Sequence, residues 1–205
     1  MKVTMLRATL LVAMAVGLAS CGGKAKFDVG GVIEGLKYPG LVLTNGGAEL
    51  AVNPPATSFR FPNQIEYGEV YNVKIKTAGT PAVDVNPAHQ TCQVLNPTDT
   101  AGRQASINIV IRCVTNAYPL GGKVSGLTAD GLVLINGSNY QYTVPKDATS
   151  WAFPSAIEYG SAYGVSVLTQ PTSGQLFCSV SNPIGEMGDA AITNVDVSCV
   201  PRIGG

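Results

Sequence analysis

The sequence predicts an all-β protein made of two tandem β-sandwiches, and three observations carry that prediction. Gly (24) and Pro (13) punctuate the 205 residues throughout, while Ala, Glu, Lys and Leu do not recur at helical spacing. Short runs alternate apolar and polar residues between turn-forming clusters. The chain is also written twice, so that whatever one half folds into, the other half repeats.

Residues 1–20 are excluded from the fold. Lys2 and Arg7 precede the apolar run 10–16, which is too short to span a bilayer, and small residues follow it. This is a secretion signal. Its ending, Leu18-Ala19-Ser20-Cys21, resembles the bacterial lipobox. The resemblance implies cleavage before Cys21, with a diacylglycerol on its thiol and an acyl chain on its new amino group. The alternative is an ordinary signal peptide. Acyl chains contribute about 0.8 kcal/mol per buried methylene, enough to anchor the protein to a membrane that it does not cross. In Gram-negative lipoproteins an Asp after the Cys retains the protein at the inner membrane, so Gly22 implies the outer membrane, with the periplasmic or surface face left open. Residues 21–28 form a lipidated tether.

The first repeat (29–114) opens with Gly30-Gly31-Val32-Ile33-Glu34-Gly35-Leu36, which returns at offset 91 as Gly121-Gly122-Lys123-Val124-Ser125-Gly126-Leu127. Phe59-Arg60-Phe61-Pro62 returns at offset 92 as Trp151-Ala152-Phe153-Pro154, and Ile65-Glu66-Tyr67-Gly68 as Ile157-Glu158-Tyr159-Gly160. Cys92 and Cys113 return at offset 86 as Cys178 and Cys199. The first repeat therefore carries six extra residues between Thr77 and Cys92. A linker (115–119), the second repeat (120–200) and a tail (201–205) follow.

Seven strands are expected in the second repeat, at 123–127, 131–135, 140–144, 150–153, 163–168, 176–181 and 193–200. Asn45-Gly46 and Asn136-Gly137 lie between alternating runs and mark hairpin tips, where a type I′ turn needs positive φ at both central residues. Val195, Val197 and Cys199 share a parity, as do Ile109, Ile111 and Cys113, and so face one side. Phe59, Phe61, Trp151 and Phe153 are expected in the cores.

With Cys21 assigned to lipid, four cysteines allow three pairings, and the repeat selects Cys92 with Cys113 and Cys178 with Cys199. Each pair centres on a turn-like glycine, Gly102 or Gly188, so each is expected to staple a hairpin, in an oxidising compartment. Zinc ligation is disfavoured because no Cys-x-x-Cys spacing occurs. No metal site or bound cofactor is expected apart from the lipid on Cys21.

Charge excludes further classes. Only 13% of residues are charged, about half the usual share, and 13 Lys+Arg meet 13 Asp+Glu. Without Lys2 and Arg7 the mature chain is formally −2. Phosphate-directed nucleic-acid binding requires a clustered basic excess, which is absent. The single histidine, His89, lies in the insertion near Asp84 and Asn86, in no nucleophile-elbow context, and is expected to be a solvated loop residue. Glu66 and Glu158 precede Tyr-Gly turns and are read as exposed and structural rather than as a glycosidase pair. Partner contacts are expected where the repeats differ: the insertion 78–91 with Asp84 and His89, the loop 182–189, and Tyr140, which replaces Ala48.

The run from Phe59 through Phe61, Ile65, Gly68, Tyr71 and Val73 to Ile75, and its copy from Trp151 to Val167, is similar to a signature of transthyretin-like and collagen-adhesin B-type immunoglobulin-like sandwiches on bacterial surface proteins. The whole repeat resembles those of tandem-repeat bacterial lipoproteins, which implies a stalk or adhesive module without enzyme activity. This chain has cysteines where many collagen-adhesin modules have Lys-Asn cross-links, so isopeptide chemistry is not implied. The expectation is a monomeric, non-enzymatic, lipid-anchored protein that engages a protein or glycan. An accessory subunit of a periplasmic assembly or secretion machine is the alternative, and a small hydrolase or carbohydrate-binding module the remote one.

Overall fold

A computed structural model describes residues 23–138, 140–172 and 175–202, so Cys21 and the signal segment lie outside the described residues. Every regular element in it is a strand. The first half runs β1 (Lys26–Phe27), β2 (Gly30–Glu34), β3 (Leu41–Asn45), β4 (Ala48–Val52), β5 (Ser58–Arg60), β6 (Ile65–Glu66), β7 (Val70–Ile75), β8 (Thr77–Ala78), β9 (Val83–Asp84), β10 (Gln90–Val94), β11 (Thr98–Thr100) and β12 (Ile109–Thr115). The second runs β13 (Ala117–Tyr118), β14 (Gly121–Ser125), β15 (Leu132–Asn136), β16 (Tyr140–Val144), β17 (Ser150–Ala152), β18 (Ile157–Glu158), β19 (Ala162–Thr169), β20 (Leu176–Val180), β21 (Ile184–Glu186) and β22 (Val197–Pro201).

Two four-stranded sheets form in the first half, ordered β10-β12-β2-β5 and β11-β7-β3-β4. The second half has the same two orders, β20-β22-β14-β17 and β21-β19-β15-β16. Side chains from both sheets of a half meet in one apolar cluster, as the inner faces of a sandwich do. Phe59, Phe61, Ile109 and Ile111 lie in the first cluster, and Trp151, Phe153, Val195 and Val197 in the second. Trp151 places its indole N–H on the Val195 carbonyl at 2.9 Å, so its one polar atom is satisfied inside the core.

In each half the first and last long strands are parallel neighbours, β2 with β12 and β14 with β22. Parallel pairing sends the chain into a half at one end of its sheets and out at the other. The repeated Gly-Gly permits this approach: a Cβ on Gly31 would overlap the Ile109 carbonyl, and one on Gly122 the Val195 carbonyl. These glycines, read from sequence as repeat markers just ahead of the strand at 123–127, are strand residues. The last strand begins at Val197 rather than 193 because residues 192 and 195 bond Pro119 and Gly121 individually before the regular ladder starts.

Both disulfides join directly opposed residues of antiparallel strands, Cys92–Cys113 between β10 and β12 and Cys178–Cys199 between β20 and β22. The strands are not consecutive, as a simple hairpin requires. Between them the chain crosses to the other sheet, where β11 pairs with β7 and β21 with β19. Strand β21 was not expected from sequence and occupies part of the loop read as a binding loop.

Both expected hairpin tips are present. In the first, Asn45 still pairs with Ala48, and the positive-φ pair is Gly46-Gly47 (55° and 88°). In the second, Asn136 pairs with Tyr140 and the connection is one residue longer. Both asparagines turn their side chains inward along the sheet: Asn45 Oδ1 accepts the Asn72 N–H at 2.9 Å, and Asn136 Oδ1 the Gly164 N–H at 2.7 Å.

Candidate functional site

The segment 115–119 is not free chain. Thr115 ends β12, and Ala117 and Tyr118 pair with Glu158 and Ile157. Asn116, between the two strands, ties both halves: its N–H donates to the His89 carbonyl (2.9 Å), its carbonyl accepts the Tyr159 N–H (2.8 Å), and its side-chain oxygen accepts the Thr91 hydroxyl (2.8 Å). A single residue thereby brings His89 and Tyr159 face to face.

His89 adopts φ = 60°, a left-handed conformation open to His more than to most residues. Its ring stacks on Tyr159 with centroids 3.6 Å apart and planes 3° from parallel, and Tyr38 meets it edge-on at 5.1 Å. Tyr38 also meets Tyr159 edge-on at 6.0 Å, which closes a three-ring cluster. Nδ1 of His89 lies 2.8 Å from the Asp189 carboxylate. The solvated loop histidine expected from sequence is therefore a junction residue, with one face on an aromatic ring of the other half and one nitrogen on its acid. Burial pushes the Tyr159 hydroxyl up from its ordinary pKa, and Asp189, Tyr38 and Glu186 add to the shift, so this tyrosine stays neutral through physiological pH.

Tyr38 is positioned from below by Gln90, whose side chain is 1% exposed. Its Oε1 accepts the backbone N–H groups of Lys37 (2.8 Å) and Tyr38 (3.0 Å), and its Nε2 donates to the Gly35 carbonyl (2.7 Å). At the rim, Lys37 Nζ lies 3.8 Å from the Glu158 carboxylate. Asp189 is set by β21 and by buried Met187, whose backbone bonds Ser161 and Gly160 in both directions.

The two loops singled out for differing between repeats, 78–91 and 182–189, thus meet through His89, with Asp189 at the end of the second. Asp84 is not brought to this cluster: it pairs with Thr77 in the exposed β8-β9 hairpin. Tyr140, 44% exposed, lines a hollow of about 460 Å³ with Ala156, Ile157, Glu158, Ser161 and Ala162. That hollow borders the junction through Glu158.

Tyr38, Gln90, Asn116 and Tyr159 carry the junction and were not singled out from sequence. The available signal was divergence. Ala129 and Leu176 stand in the second repeat where the first has Tyr38 and Gln90, while Tyr159 repeats Tyr67 and was hidden by that symmetry.

The arrangement can clamp two halves together through stacking, a histidine–carboxylate hydrogen bond and a backbone bridge. A His–Asp pair also occurs in nucleophilic hydrolases, yet among the described residues no hydroxyl or thiol bonds the His89 ring. Compared with known proteins, the chain matches no family model and no curated sequence.

Proposed function

We propose that the protein is a non-enzymatic lipoprotein, anchored to the bacterial outer membrane through lipid on Cys21, that presents two immunoglobulin-like, transthyretin-like sandwich modules for binding, adhesion or envelope structure. The junction carries this reading. The residues by which the first repeat departs from the second, His89, Tyr38 and Gln90, are spent on fixing one half against the other. A stalk or presenting module needs such a fixed relation, whereas a catalytic His–Asp pair would need a nucleophile on its other ring nitrogen, and among the described residues no hydroxyl or thiol bonds the His89 ring. The parallel first and last strands support the same reading, because they place entry and exit at opposite ends of each half.

The anchoring is tested by palmitate labelling in cells. Cys21→Ala should abolish the label and release the protein from the membrane, and a label that persists overturns the lipoprotein reading. Protease treatment of intact cells then assigns the face, because only an outward-facing protein is cut.

A further inference from the structure

Both halves receive the chain that precedes them in the same way. In the second half Ala117 and Tyr118 pair with Glu158 and Ile157, and the Asn116 carbonyl accepts the Tyr159 N–H at 2.8 Å. In the first, Lys26 and Phe27 pair with Glu66 and Ile65, and the Ala25 carbonyl accepts the Tyr67 N–H at 2.8 Å. The entry end of the second half is covered by the module before it, with the His89 ring stacked on Tyr159. At the entry end of the first half the matching tyrosine, Tyr67, is 58% exposed, and Val70, which stands where the second half has Ala162, is 67% exposed.

The duplication supplies an internal control, since a position that differs between the two entry ends differs for a reason other than the shared fold. Lys24, Lys26 and Arg60 stand where the second half has Thr115, Ala117 and Ala152. Arg103 stands where it has Asp189, the acid that bonds His89. The backbone confirms this last match, because Ala101 bonds Gly68 and Glu69 as Met187 bonds Gly160 and Ser161. Every one of these changes puts a cation on the end that no module covers. Lys24, Arg60 and Arg103 lie 3.8, 3.0 and 3.5 Å from Glu66, Asp28 and Asp99, and Glu69 accepts the Glu66 N–H at 2.7 Å. Cations and acids are equal in number, so this end carries both signs around an exposed tyrosine and valine.

We propose that the entry end of the first half seats on the surface of the lipid bilayer, with Tyr67 and Val70 entering the headgroup region. The proposal rests on lipid at Cys21, and chain length then selects the occupant. Four residues separate Cys21 from Ala25, whose carbonyl holds the Tyr67 backbone, so this end stays within about 14 Å of the acylated cysteine. A bilayer is the surface beside which the chain is covalently held, and so short a tether makes weak contacts effective by raising their local concentration. The chemistry agrees. Tyrosine partitions to the membrane interface, with its ring among apolar groups and its hydroxyl in the headgroups. The mixed charges suit zwitterionic headgroups, with Lys26, Arg60 and Arg103 placed for phosphates. The bilayer thus covers the first half as the first half covers the second.

The test places the full chain, purified from membranes, in phosphatidylcholine vesicles whose acyl chains carry bromine, a quencher of nearby tryptophan. Tyr67→Trp and Val70→Trp, at exposed positions, should each lose fluorescence relative to vesicles without bromine. Leu168→Trp, 49% exposed near the far end of the second half, should not. Neither should the unmodified chain, whose single tryptophan, Trp151, is buried in the second half. Vesicle-bound chain in which Tyr67→Trp and Val70→Trp keep their fluorescence overturns the proposal, because the module then swings free on its tether. So does quenching of Leu168→Trp as strong as theirs, which would mean that the molecule lies on its side. A chain that does not float with the vesicles fails earlier, at the lipid on Cys21, and overturns both readings together.

Discussion

His89 and Tyr159 stack 3.6 Å apart across the junction, although they lie 70 positions apart in the chain and sit in turns of different halves. Stacked aromatic pairs contribute about 0.5–1.5 kcal/mol beyond the area they bury. A double-mutant cycle of His89→Ala and Tyr159→Ala, read by urea unfolding, should give a coupling energy in that range. A coupling indistinguishable from zero would mean that the rings lie together without holding the halves. Asp189→Asn should cost less, because the asparagine keeps a side-chain oxygen where the carboxylate meets His89 Nδ1 and the carboxylate is half-exposed to solvent.

Gln90 serves the junction indirectly. Gln90→Leu, which installs the residue that the second repeat has at this place, removes the acceptor of the Lys37 and Tyr38 N–H groups. Unpaired buried polar groups cost about 1–3 kcal/mol each. The variant should be destabilised by an amount in this range and should lose protection from hydrogen exchange at Lys37 and Tyr38. Full retention of both would show that the side chain does not hold the loop.

Gly31 and Gly122 allow the parallel strand pair to close. Either Gly→Ala change drives a methyl group into a backbone carbonyl, that of Ile109 in β12 or that of Val195 just ahead of β22, which no side-chain rotation relieves. Overpacking of this kind costs about 1–3 kcal/mol or more. Thermal melting should drop for Gly31→Ala and for Gly122→Ala, while Gly23→Ala, in open space, should melt like the unmodified chain.

Alkaline pH should weaken the fold through two tyrosines. Burial raises the Tyr71 hydroxyl, with Asp99 adding to it, and burial with Asp189 raises Tyr159. A folded-state pKa above the unfolded value contributes stability that is fully present below the ordinary tyrosine pKa near 10 and is lost as pH rises through the folded values. Phenolate absorbance should therefore show a late-ionising component that shrinks in Tyr71→Phe and in Tyr159→Phe. The loss of stability should begin near pH 10, and a loss that begins near neutrality would contradict this assignment.

The strands, the core aromatics and the disulfide pairs were legible in the sequence because each depends on near neighbours or on the duplication. Period-two alternation decides which side chain faces inward, and a repeated pair of cysteines identifies its partner by position. Strand ends were less legible. Gly30-Gly31 and Gly121-Gly122 look like breaks until the close approach of the parallel strand is seen, and β21 is too short and too exposed to show alternation.

The sequence by itself therefore determined the all-β class, the inward-facing residues and the cysteine pairing. Tertiary structure alone decided what the differences between the repeats are for. Tyr38, His89, Tyr159 and Asp189 lie in four separate loops with no shared period. Their meeting depends on how Asn116 sets one half on the other, and a contact of that kind leaves no local pattern in the chain.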